Sequence, residues 1–192
     1  MLEIDKRLQP TELELLQELI GATIVSMDAA LVDNDNSAWN TVRIHTKKGS
    51  VDISNLLEEL PLNDDGDTEE YAVMSVAAAP DENLVVDAIT ADTSVCVINQ
   101  VVSGVLLAEG RVKTFYKGEL LTDRTYTQAV ILRLSDDSYL VFDKEVWFEE
   151  IITIKRGENL AGLLYDESPD WEDDLEEKPD THFELTRALV EL

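Results

Sequence analysis

Apolar positions recur at two different spacings along this chain. Through its middle the pattern is that of strands: short β-rich runs at residues 22–31, 39–46, 50–55, 71–78 and 84–89, then at 94–98, 101–107, 111–116, 125–134, 139–142 and 149–155. Turn residues separate them, among them Asp33, Asn34, Asp35, Asn36 and Ser37, and the group Lys47, Lys48 and Gly49. Alternation is clean where Arg43 stands between Val42 and Ile44, and where Asp52 stands between Val51 and Ile53. That period places one face of each strand in a core and the other in water.

Near both ends the spacing becomes helical. Thr11 followed by Glu14 has the capping-box form, Leu13, Leu16, Leu19 and Ile20 continue at helical intervals, and Gly21 supplies a stop. Thr181 and Glu184 repeat the capping logic, with Phe183, Leu185, Leu189 and Leu192 as the apolar stripe. The expected fold is therefore mainly β, with α+β as the alternative, and a helix at each terminus packed on the body.

The two halves echo one another in order. Gly21 answers to Gly104, Val42 and Ile44 to Val130 and Leu132, Gly49 and Val51 to Asp137 and Tyr139, Val73 to Ile151, and Glu82 to Glu158. The offset drifts from 83 to 88, 78 and 76, so strands keep their sequence while loops change length. This points to two related antiparallel β units from a tandem duplication. The implied organisation is a helical segment at 1–20, β units at 21–98 and 99–165, an acidic segment at 166–180 and a helix at 181–192. The insertions then fall at 62–70 and 116–124, on loops, where function is readily added.

Charge changes the picture most. The 192 residues carry 41 acids against 15 bases, a net charge of −26. Such a field repels a nucleic-acid duplex and an anionic bilayer, and favours a basic partner or a cation. Residues 1–96 hold 20 acids against 5 bases, and residues 166–180 hold nine acids against Lys178 alone. In that second stretch Asp170, Glu172, Asp173 and Asp174 surround Trp171 and Leu175, a combination suited to a basic groove. Charges there steer encounter and apolar anchors supply affinity. These six residues are the candidate partner-binding site.

Chemistry-bearing motifs are sparse. The single cysteine, Cys96, lies in an apolar run and reads as a small hydrophobe. Residues 33–44 begin like a calcium loop, but Ala38 stands where glycine is needed and Ile44 where a bidentate Glu is needed. His45 is expected on the wet face of its strand and His182 at a helix start. Carboxylate pairs such as Glu149 and Glu150 arise by abundance alone. Tyr139, Phe142, Trp147 and Phe148 group together, as core or as a contact between the units.

No catalytic, cofactor-binding or metal-ligating residue is assigned, and no cofactor. There is no signal-peptide pattern and no apolar span of membrane length, which makes the cytoplasm the expected location. The expected function is a non-enzymatic binding protein for a basic protein surface, inhibitor-like or immunity-like. A DNA mimic and a metal-dependent enzyme using paired carboxylates are the alternatives.

Overall fold

The computed structural model describes residues 1–32, 36–61, 66–80, 82, 84, 93–144, 146–165 and 180–192. They form β1 (Leu2–Lys6), α1 (Pro10–Glu18), β2 (Thr23–Val32), β3 (Ser37–Thr46), β4 (Gly49–Pro61) and β5 (Thr68–Ala79). Then come β6 (Thr93–Tyr116), β7 (Glu119–Leu134), β8 (Tyr139–Asp143), β9 (Ile151–Gly157), a 3-10 turn (Leu160–Gly162) and β10 (Thr181–Glu191). All ten strands belong to one hydrogen-bonded sheet, so the protein is mainly β. Among the described residues, no helix is long and apolar enough to cross a membrane.

The strand pairings close on themselves. β2 pairs β6, β6 pairs β7, β7 pairs β8, β8 pairs β9, β9 pairs β3 and β3 returns to β2, each antiparallel. Closure removes free edges from these six strands over the paired stretch. The alternating positions supply the core: Val42 and Ile44 from β3, Val130, Leu132 and Leu134 from β7, Leu140 and Phe142 from β8, and Ile152 and Ile154 from β9 form one buried cluster. α1 contributes Leu16 to it, and Leu19 joins from the helix C-cap. β7 is covered on its other face too, where Ala129 and Ile131 meet Leu160, Leu163 and Leu164.

Four strands extend beyond the ring: β1 joins β7 in parallel, β10 joins β6, β4 joins β3, and β5 joins β4. β3 changes neighbour along one edge, from β9 at Ser37–Trp39 to β4 at Thr41–Thr46. Asn40 stands at the change with φ +46°, a left-handed conformation that Asn tolerates better than most residues. β6 makes a similar exchange, from β2 to β10. Gly110 of β6 lies directly opposite Tyr126, whose ring passes 2.5 Å from where a Cβ would stand. Only glycine permits that approach.

The termini depart from the sequence expectation. Residues 181–192 are not a helix: β10 pairs β6 from Thr181 opposite Tyr116 to Glu191 opposite Leu106. The period-2 positions Phe183 and Leu185 pack beside Val112 and Tyr126, and a long partner edge outweighs helical propensity. His182 consequently lies in a strand, its ring 5.8 Å from that of Phe115. Residues 1–20 are only partly helical, because β1 precedes α1. The helix begins two residues before its expected cap, Thr11: Gln9 is the N-cap, and Glu12 Oε2 accepts from the Gln9 amide at 2.6 Å. β6 runs unbroken across positions 98 and 99. Cys96 is exposed, as are Val95 and Val97 beside it.

Candidate functional site

The acidic segment singled out from the sequence, with Asp170, Trp171, Glu172, Asp173, Asp174 and Leu175, lies outside the described residues. So do the first three residues of the calcium-like loop and most of the loop at 63–67. The best-defined acidic feature is the outer half of the β4–β5 hairpin. Between positions 58 and 70 the sequence holds seven acids and no base.

Strand register arranges part of this charge. On the core-facing side of the hairpin, Val51, Ile53, Met74 and Val76 are buried. Further out that side carries Glu59 directly opposite Glu70, both exposed, at positions where neither makes an ion pair. Like charges directly across an antiparallel pair repel, so this arrangement costs stability. The neighbouring acids are held: Glu58 meets Lys6 Nζ at 2.6 Å, and Glu69 lies 3.7 Å from Arg124.

The hairpin is fastened at its base. The Val76 amide donates to Glu12 Oε1 at 2.8 Å, and the Ala72 amide donates to the Trp147 carbonyl. Lys144 Nζ donates to the Ala72 carbonyl at 2.9 Å, and the Leu57 amide to Glu150 Oε1 at 3.0 Å. Trp147 stacks on Tyr71 with ring centroids 4.6 Å apart, and Phe148 meets Trp147 edge-on. These two aromatics sit in a turn rather than a strand. Glu150 is thus committed to the β4 edge, and the Glu149 carbonyl to Asn55.

A second polar cluster lies on the outer face of β2, β3 and β4. His45 Nδ1 is 2.8 Å from Ser50 Oγ, and its Nε2 is 3.0 Å from Asp28 Oδ2. Ser50 is the residue directly opposite His45, so a two-residue turn creates that contact, whereas Asp28 arrives through the β2–β3 register. A carboxylate on one imidazole nitrogen and a hydroxyl on the other is a proton-relay arrangement. Here the same groups bind the structure together. Asp28 Oδ2 also accepts from the Leu84 amide, and Arg43, paired with Asp52 at 2.7 Å, donates to the Glu82 carbonyl. His45 is half-buried, not on a wet face as the sequence suggests. Ser50 also lines a cleft of about 370 Å3 beside Leu15 and Pro80.

The third cluster centres on Asp143, fully buried at the end of β8. Its carboxylate accepts from Gln128 Nε2 at 2.9 Å and from the Tyr165 amide at 2.7 Å. Burial pushes its pKa up to about 6, against the pull of those two donors. Gln128 also donates to the Lys144 carbonyl. Nothing in the sequence around Asp143 distinguishes it from the other acids; burial does.

Among the described residues, no three His, Cys, Asp or Glu side chains converge on a metal-ion position. Compared with family models, curated proteins and solved structures, the chain matches none.

Proposed function

We propose that this chain is a non-enzymatic binding protein that recognises a basic protein surface, in the manner of an inhibitor or immunity protein. The observation that carries this reading is the Glu59–Glu70 pair, two exposed carboxylates held opposite one another without a cation. Self-repulsion at a surface is relieved when a partner brings positive charge to it, and complementary potentials accelerate encounter.

The chain's own cations reinforce the point. Arg7, Arg43, Arg111, Arg124, Arg133 and Arg156 all meet carboxylates internally, and Arg187 donates to the Tyr165 carbonyl. The acidic segment with Asp170, Trp171, Glu172, Asp173, Asp174 and Leu175 is the proposed second contact, its two apolar residues serving as anchors.

A DNA mimic needs a regular row of carboxylates. The row Glu12, Glu14 and Glu18 on α1 is interrupted, because Glu12 is spent on the Gln9 and Val76 amides. We also infer that the meanders β2–β5 and β6–β9 derive from one duplicated unit. Their identical order of strand pairing supports this.

The test is calorimetric titration against purified cationic nucleases and protein toxins, at low and high salt. The wild type is compared with the double variant Glu59→Gln, Glu70→Gln. At least one cationic protein binds at low salt, and the double substitution weakens it about tenfold or more. Absence of binding by every cationic protein at low salt overturns the reading.

A further inference from the structure

After β9 ends at Gly157, residues 158–165 run as a strap across the outside of the ring. The strap lays Leu160, Leu163 and Leu164 on Ala108 of β6, Ala129 and Ile131 of β7 and Val141 of β8, and those last four have 0% exposure. Leu163 folds back until a methyl carbon lies 3.3 Å from where a Gly157 Cβ would stand.

Asp143 belongs to the same covered face. Val141 stands opposite Ile131 and Asp143 opposite Ala129, so the carboxylate is the next outward-facing side chain along β8. It is fully buried, and the strap supplies part of its cover, the Tyr165 amide donating to Oδ2 at 2.7 Å. The Tyr165 carbonyl accepts from Arg187 at 2.6 Å, so the end of the strap is pinned between β8 and β10. From β7, Gln128 Nε2 donates to Asp143 Oδ1. The charges acting on this carboxylate are two cations, Arg187 of β10 and Lys155 of β9, while neighbouring Lys144 turns its ammonium to the Ala72 carbonyl. Loss of water outweighs both cations and both donors.

Closing the strap strips water from Asp143 and opening it restores that water, so the position of the strap and the charge of the carboxylate are linked. We propose that residues 158–165 form a pH-sensitive strap, tighter when Asp143 is protonated and looser when it is ionised, which governs access to the apolar outer face of β6, β7 and β8. With the strap closed, Asp143 keeps its proton up to about pH 6; solvated, it loses it near the ordinary 3.8. The closed form therefore binds more protons between those values, and the opening equilibrium rises about fiftyfold from pH 4 to pH 7. This device is independent of the partner reading above.

The test is native-state hydrogen exchange of the full chain, followed by NMR at the amides of Gly162, Leu163 and Tyr165, which donate to Asn159, Leu160 and Asp143. Corrected for intrinsic exchange, their protection falls about fiftyfold from pH 4 to pH 7. Low concentrations of urea leave it unchanged, because a local opening exposes little surface, whereas protection in β8 falls with urea. Asp143→Asn removes the pH dependence. The wild type decides the matter even where that variant does not fold. Strap protection that is independent of pH, or as sensitive to urea as that of β8, overturns the proposal.

Discussion

The meanders β2–β3–β4–β5 and β6–β7–β8–β9 pair their strands in the same sequential order, yet only the second contributes all four of its strands to the ring. β8 has 5 residues, four of them buried, and β9 has 7. β4 and β5 have 13 and 12, and their outer halves pass beyond the cluster that buries Ile53 and Val76. Among the described residues, β4 pairs with the ring only at β3 and β5 pairs only with β4, so both lie outside the closed circuit of strands. Together they form a flange, and its core-facing side ends in Glu59 and Glu70 instead of apolar residues. Membership of the closed ring separates the meander whose four strands hold the fold from the one whose outer hairpin presents charge.

The largest expected effect breaks the comparison at the ring. Phe142→Ala on β8 removes a fully buried ring and costs about 3–5 kcal/mol in urea denaturation. Leu56→Ala on the flange, at 42% exposure, changes the same measurement by less than about 0.5 kcal/mol. Equal losses at the two sites would mean that the flange is as much a part of the core as β8 is.

Next in size is the acid held at the end of β8. The folded-state pKa of Asp143 is about 6, above its ordinary 3.8, so between those values the folded state binds more protons than the unfolded one. Stability attributable to Asp143 therefore falls as pH rises from about 4 to about 6, by roughly 3 kcal/mol in all. Urea midpoints across that range show the slope in the wild type, and Asp143→Asn flattens it. Asp5, held down to about 2 chiefly by its hydrogen bond from Arg7, titrates below this window.

Glu12 sharpens the comparison, since one carboxylate caps α1 and also closes the β5 edge at Val76. Glu12→Ala costs about 1–2 kcal/mol and speeds hydrogen exchange at the Val76 amide, while the amides of β8 keep their relative protection. The smallest effect has the opposite sign. Glu70→Lys places a cation across from Glu59, stabilises the fold by about 0.5 kcal/mol and weakens binding to a basic partner. A loss of stability in Glu70→Lys would contradict the repulsion assigned to that pair.

Much of the strand pattern is legible from local sequence. Val42 and Ile44, or Val51 and Ile53, announce their buried face by alternation, and Lys47 and Lys48 form the turn between β3 and β4. β6 is harder to read, because its interruptions at Asn99 and Gly110 resemble turns. Asn99, at φ +49°, sits in a bulge opposite β2, and Gly110 makes room for the Tyr126 ring. The C-terminal strand escapes altogether. Leu185, Leu189 and Leu192 suit a helix as well as a strand, and only the exposed edge of β6 decides between them.

By itself, the sequence determined what short-range chemistry controls: alternation, turn residues, a helix beginning near Pro10, and an excess of acid that fails to neutralise itself. Tertiary structure decided everything that depends on distant register. It set Glu59 against Glu70, brought Asp28 to His45 and buried Asp143 among donors. It also gathered Arg124 and Lys144 around one small cavity. The physical reason is common to all four cases. A side chain's charge and size are local properties, but its neighbours are chosen by strand pairing and ring closure, which no window along the chain contains.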